Sequence, residues 1–134
     1  MKTFIAALLL LFAGLAHAEE PAKKTFTATV GPDGIQKVSI KGGEYFFDPN
    51  HIIVKVNVPV ELTVKKEGGY APHNIVMDAP DAGMQFDESL GKEPKTIRFT
   101  PARTGLYPFV CTKRFLFFKS HKERGMNGVI EVVK

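Results

Sequence analysis

Ile52-Ile53-Val54-Lys55-Val56-Asn57-Val58-Pro59-Val60-Glu61-Leu62-Thr63-Val64-Lys65 decides the fold class. Ile52, Val54, Val56 and Val58 alternate with Lys55 and Asn57. Beyond the proline, Val60, Leu62 and Val64 alternate with Glu61, Thr63 and Lys65. A period of two sends apolar side chains to one face and polar ones to the other, as in a half-buried strand. Working outward, Phe26, Ala28 and Val30 repeat the pattern earlier, and Ile97 with Phe99 later. Turn signals separate these runs: Gly31-Pro32-Asp33-Gly34, Gly42-Gly43, Gly68-Gly69, Gly91 and Pro101. Helical spacing is scarce. About eight strands are expected, near 25–30, 35–41, 44–47, 51–57, 60–66, 73–77, 95–100 and 105–111, with a closing one at 128–133. Short strands at this spacing predict an all-β protein, a two-sheet Greek-key β-sandwich. Two segments break the alternation. Asp78 to Lys92, with Pro80, Gly83 and Gly91, is expected to be a loop with one helical turn; Thr112 to Gly125 is expected to be a loop or short helix.

The first eighteen residues read as a targeting signal. Lys2 supplies a positive start, Phe4 to Leu15 an apolar run, and Ala16-His17-Ala18 a small-x-small cleavage site. The run is too short to span a bilayer, which needs about 20 residues. Cleavage after Ala18 leaves residues 19–134, 116 residues expected to form a single domain. The expectation is an exported, periplasmic protein and a monomer. Without Lys2 the chain carries 17 basic and 14 acidic side chains, a balance of +3 with no basic stripe or nucleic-acid motif, so nucleic acid is excluded as a partner. Cys111 is the only cysteine. It cannot form an internal disulfide, and an idle thiol in an oxidising compartment is a liability.

Three short pieces then belong together: His73-Asn74, Cys111-Thr112, and His121 followed five residues later by Met126. They offer two imidazoles, a thiolate and a thioether, the donor set of a mononuclear copper electron-transfer site. Thiolate and thioether suit Cu(I), and imidazole suits both oxidation states, so one rigid set serves both. Taken singly, each has a plain alternative. A histidine in a β-protein is more often a surface or hydrogen-bonded residue, the reading given to His51. Met77 and Met84 read as packing or loop residues. The ordered combination inside an exported all-β chain favours the metal.

Ala71-Pro72-His73-Asn74-Ile75-Val76 resembles the first-ligand motif of the plastocyanin-like cupredoxins, type 1 blue copper proteins. Thr104-Gly105-Leu106-Tyr107, Cys111, His121 and Met126-Asn127-Gly128-Val129-Ile130-Glu131-Val132 resemble their C-terminal ligand segment, and Phe47-Asp48-Pro49 with Ile52 to Val56 is similar to a preceding strand. The resemblance implies equatorial ligands His73, Cys111 and His121, an axial Met126, and hydrogen bonds from Asn74 and Thr112 tying the ligand loops together. One departure stands out: nine residues, Thr112 to Ser120, separate Cys111 from His121 where family members have only a few. Doubling a flexible loop costs about 0.6 kcal/mol of closure entropy, small beside metal-site binding energies on the order of 10 kcal/mol.

That segment reads Lys113-Arg114-Phe115-Leu116-Phe117-Phe118-Lys119. Its apolar centre either covers the end of the sandwich or forms a docking patch with a basic rim. The patch would suit an acidic redox protein steered by charge to Lys113, Arg114, Phe115, Phe117 and Phe118. Contact with an anionic membrane surface is a further alternative. No Ser-His-Asp arrangement, carboxylate pair or phosphate loop points to an enzyme. The functional expectation is therefore a carrier of single electrons between redox partners. Two alternatives stay open: a copper chaperone or store, and a component of bacterial ferrous-iron uptake accepting electrons from Fe(II). The second rests on the similarity of the basic-aromatic segment to cupredoxins found with such permeases, and no acidic iron-binding spacing accompanies it.

Overall fold

The structure, a computed structural model, describes residues 20–134. The targeting signal expected over residues 1–18 lies outside them. Ten strands follow in order: β1 (Thr25–Thr27), β2 (Gln36–Gly43), β3 (Phe46–Asp48), β4 (His51–Lys55), β5 (Val60–Lys66), β6 (Asn74–Ala79), β7 (Met84–Ser89), β8 (Lys95–Phe99), β9 (Gly105–Val110) and β10 (Asn127–Val133). They build a six-stranded sheet, β1-β4-β10-β9-β6-β7, and a four-stranded sheet, β3-β2-β5-β8. The chain crosses repeatedly from one sheet to the other. The parallel pairs β2–β5, β4–β10 and β1–β4 depend on such crossovers. The antiparallel pairs β2–β3, β6–β7 and β9–β10 join consecutive strands, while the antiparallel β5–β8 and β6–β9 join strands apart in the chain. The result is the expected all-β, two-sheet architecture.

Along β4 and β5 the alternation read in the sequence is the burial pattern. In the Phe26-Ala28-Val30 run it is not: only Ala28 is buried, while Phe26 on an edge strand and Val30 beyond it are exposed. Val38 and Ile40 on β2, Ile52 and Val54 on β4, Val60, Leu62 and Val64 on β5, and Ile130 and Val132 on β10 are all buried. The residues between them are half-buried or exposed. Each such aliphatic side chain contributes roughly 1.5–3 kcal/mol on leaving water. Phe47 and Phe109 meet edge to face between the sheets, ring centroids 5.2 Å apart. β4 stops at Lys55 because Asn57 takes a positive φ of 61° to begin the turn into β5. Buried Gln36 secures that turn: its amide nitrogen donates to the carbonyls of Lys55 and Val58, and its oxygen accepts from the Lys55 N–H at 2.7 Å.

The segment expected to be a loop, Asp78 to Lys92, needs correction. It holds one 3-10 turn, Pro80–Ala82, but Met84–Ser89 then forms β7, an edge strand paired along β6. Met84, Phe86 and Glu88 do alternate with Gln85, Asp87 and Ser89. Only Met84 is fully buried, because an edge strand has one neighbour and sends few side chains into the core. Proline and glycines on either side masked so weak a pattern. Thr112 to Gly125 contains turns but no regular helix or strand. Among the described residues no helix is long and apolar enough to cross a membrane.

Candidate metal centre

At one end of the sandwich three strand ends lie side by side. His73 immediately precedes β6, and its carbonyl accepts the Leu90 N–H at 2.9 Å. The β6–β9 register pairs Val76 with Val110. Extending it by two residues brings Asn74 opposite Thr112. The Asn74 side-chain oxygen accepts the Thr112 N–H at 2.8 Å, and its nitrogen donates to Thr112 Oγ1 at 2.8 Å. The same nitrogen reaches Asp87 Oδ1 on β7 at 3.2 Å. One buried amide thus sets the spacing between the segments carrying His73 and Cys111.

Cys111 and Met126 are the next pair beyond the β9–β10 ladder, which ends at Val110 and Asn127. The Cys111 N–H donates to the Met126 carbonyl at 3.1 Å. His121 has no strand to hold it. Its N–H donates to the Lys113 carbonyl at 2.9 Å, and its own carbonyl accepts the N–H groups of Met126 at 3.0 Å and Arg124 at 3.1 Å. These bonds fold the long segment back so that His121 and Met126 return to Cys111. Room for the thioether comes from Gly42 on the opposite sheet. A Cβ there would lie 3.3 Å from Met126 Cε and collide with Leu90 Cδ1.

The donor atoms converge. His73 Nδ1 and His121 Nδ1 are 3.1 Å apart, and Cys111 Sγ lies 4.0 Å from the first and 3.6 Å from the second. The point equidistant from all three lies about 2 Å from each, near the roughly 2.0–2.3 Å bonds that imidazole nitrogen and thiolate sulfur make to a first-row metal. Cys111 and Met126 are fully buried, His73 is 1% exposed and His121 4%. A proton shared by the two imidazoles would satisfy two of the three converging groups; a metal cation satisfies all three. Burial holds both imidazoles below their ordinary pKa. For His73 the neighbouring His121 and Lys66 add to the effect, for His121 Arg124 does, and Glu44 opposes it in both. Neutral imidazoles have the lone pair that coordination needs. Among the described residues this is the one group of three or more His, Cys, Asp or Glu side chains close enough to share an ion.

A family profile described as a cupredoxin-like domain matches residues 4–126. The chain belongs to that family. Copper is the cofactor a cupredoxin implies, and the two-nitrogen, one-thiolate cluster with a buried methionine beside it fits that ion. No curated protein matches this cupredoxin by sequence. Among solved structures it is similar to the metal-binding domain of the Streptococcus pneumoniae D39 Cu(I)-exporting P-type ATPase CopA, solved with Cu(I). Identity is 25%, TM-score 0.63, with 85% of this chain and 100% of that one covered. It shares its fold with auracyanin from Roseiflexus castenholzii (23% identity, TM-score 0.58, 73% and 97% covered). Auracyanin A from Chloroflexus aurantiacus, a "blue" copper protein, is likewise similar in fold (19%, 0.57, 75% and 100%).

Three further side chains border this cupredoxin's site, and two of them, Tyr45 and Asp87, sequence reasoning did not place there. Tyr45, at the tip of the β2–β3 hairpin with φ 66°, sets its ring edge-on to His121 at 5.0 Å and to His73 at 6.2 Å. Arg124 lies over that ring, 4.6 Å from its centroid. Asp87 extends the Asn74 network from a strand the sequence hid. The expected turn lay at Gly42-Gly43 with a strand from residue 44, whereas β2 runs through Gly43 and the chain turns at Glu44 and Tyr45. The histidine partners of Tyr45 are distant in the chain and carried no local signal. His51 is hydrogen-bonded, one of the two roles read for it. It is buried between Thr25 Oγ1 at 2.9 Å and Glu131 Oε2 at 2.7 Å, joining β1, β4 and β10.

Proposed function

We propose that this cupredoxin is an exported, periplasmic carrier of single electrons. In this reading His73, Cys111 and His121, with the buried Met126 beside them, would hold one copper ion. The observation that carries it is the convergence of two imidazole nitrogens and one thiolate at bonding spacing in a nearly solvent-free pocket. Bound copper would supply the one-electron change between Cu(I) and Cu(II). The protein's part is to keep the ligands in place through that change: Asn74 and Thr112 hold the His73 and Cys111 segments together, the Cys111–Met126 backbone bond adds Met126, and the Met126–His121 backbone bond adds His121. An electron enters and leaves with no bond made or broken in the chain. The test is spectroscopic. Cu(II)-loaded protein should show an intense visible thiolate-to-copper band, bleached by reductant and restored by oxidant, and Cys111→Ser should abolish it. A band that survives Cys111→Ser removes the thiolate from the site.

A second reading is copper handling, favoured by the similarity to the metal-binding domain of the copper exporter. An exchangeable Cu(I) store would leave its sulfur ligands open to a partner, whereas Cys111 and Met126 are fully buried. A protein that binds Cu(I) alone and stays colourless would favour it. The iron-uptake alternative has no further metal cluster among the described residues to support it. Bleaching in proportion to added Fe(II) is the result that would revive it. As redox partner we propose an acidic protein docking on Lys113, Arg114, Phe115, Phe117 and Phe118. Phe115 and Phe117 are exposed, Phe117 at 87%, and Phe117 and Phe118 stack 5.2 Å apart.

A further inference from the structure

Beside His121 the surface opens into a cleft of about 440 Å³. His121 forms part of its lining, with Tyr45, Phe115 and Phe118 as aromatic surfaces; Phe115 and Phe118 are stacked on each other, centroids 5.9 Å apart. Three cations complete it: Arg114, Lys119 and Arg124. Arg114 is engaged at its long limit, 3.5 Å from Glu123. Lys119 and Arg124 have no ion-pair partner among the described residues, and Arg124 is laid across the Tyr45 ring. The backbone of Tyr45 adopts a conformation that side-chain-bearing residues rarely take, and in it the ring meets both Arg124, 4.6 Å from its centroid, and the His121 imidazole, 5.0 Å away.

Concave sites of this size, mostly apolar with a few charged groups, are the usual form of small-molecule sites. The lining selects the ligand. Flat aromatic walls accept a flat ring, and uncompensated cations beside them accept an anion and repel a cation. A bare inorganic anion would leave the walls unused, and a neutral aromatic would leave the charges unused. We propose that this cleft binds a small aromatic carboxylate, its ring against the aromatic walls and its carboxylate on Lys119 and Arg124. The proposal does not rest on the electron-carrier reading, although Arg114, Phe115 and Phe118 also belong to the docking patch proposed above. It needs only the folded chain, and its ring would rest in contact range of the His121 imidazole.

The experiment is a titration of the purified protein, metal-free and Cu(I)-loaded, with 2-naphthoate, followed by NMR. Saturable shifts should centre on Tyr45, Phe118 and His121 in both forms. Affinity should fall about fivefold or more in Lys119→Gln and in Arg124→Gln, and by a similar factor for the neutral 2-naphthalenemethanol. Lys122→Gln removes an equal charge outside the cleft and should change nothing. Should Arg124→Gln disturb Tyr45, Lys119→Gln keeps the test decisive, because the Lys119 side chain has no hydrogen-bond or ion-pair partner among the described residues. The proposal is overturned by an absence of saturable shifts up to about 10 mM. It is equally overturned by undiminished affinity in Lys119→Gln, by equal binding of the neutral alcohol, or by shifts confined to Phe117 and its surroundings, the mark of a protein-docking surface. Because the titration is also run without metal, its outcome is independent of whether the copper band appears.

Discussion

His73 and His121 present the same atom to the same point, yet the chain holds them in opposite ways. His73 is one residue from a six-residue strand, and its neighbour Asn74 is locked to Thr112 and Asp87. His121 stands in turns, held by three backbone hydrogen bonds within its own segment and by the edge of Tyr45. The sheet therefore gives the first imidazole a fixed place whatever the loop does. The second depends on a loop that must close correctly. The long insertion between Cys111 and His121 is tolerable because only its ends enter the site, while Phe115 to Phe118 face outward at the surface.

The comparison breaks most visibly when each histidine is removed. His73→Ala and His121→Ala should both abolish the visible copper band. Added imidazole should restore it in His121→Ala, where the gap opens toward the cleft, and not in His73→Ala, where the sheet closes it. Equal rescue in both variants would erase the distinction. Next in size is Asn74→Ala, which strands the Thr112 N–H and unlinks the two ligand segments. A loss of about 2–3 kcal/mol, or roughly 5–15 °C in melting temperature, is expected from thermal unfolding of the metal-free protein.

A smaller effect separates the pair through pH. Both imidazoles have folded pKa values below the ordinary 6.5 because they are buried. The unfolded chain therefore takes up protons first as pH falls. Stability from this source is present above the ordinary histidine value and is lost as pH drops below it. Metal-free protein should melt lower at about pH 5.5 than at about pH 7.5, and the difference should shrink in His73→Gln. Subtler still is hydrogen exchange. Amides of β9 and β10 should exchange slowly and those of residues 114–117 quickly, with His121 and Met126 protected within an otherwise fast segment. The smallest expected change comes from Lys113→Glu with Arg114→Glu, which should leave the copper band intact. Reaction with an acidic redox protein should slow and lose its salt dependence.

Much of the site was legible before any coordinates. His73, Cys111 and His121 converge as the ligand spacing suggested, and Asn74 meets Thr112 as the family resemblance implied. Legibility failed where partners are not local. β7 was lost because an edge strand buries too few side chains to imprint a strong period. Tyr45 escaped notice because a turn residue carries no mark of what lies beside it in space.

Local chemistry determined the strands and the donor types, since alternation and side-chain identity are properties of the chain read in order. Only tertiary structure decided that Nδ1 of both imidazoles and the sulfur of Cys111 meet within 4.0 Å. That meeting depends on the registers of β6, β9 and β10 and on how one long loop folds back, and these are set jointly by contacts far apart in the chain. The same holds for the cleft: its aromatic and cationic residues become one surface only when the β2–β3 hairpin and the His121 loop pack against each other.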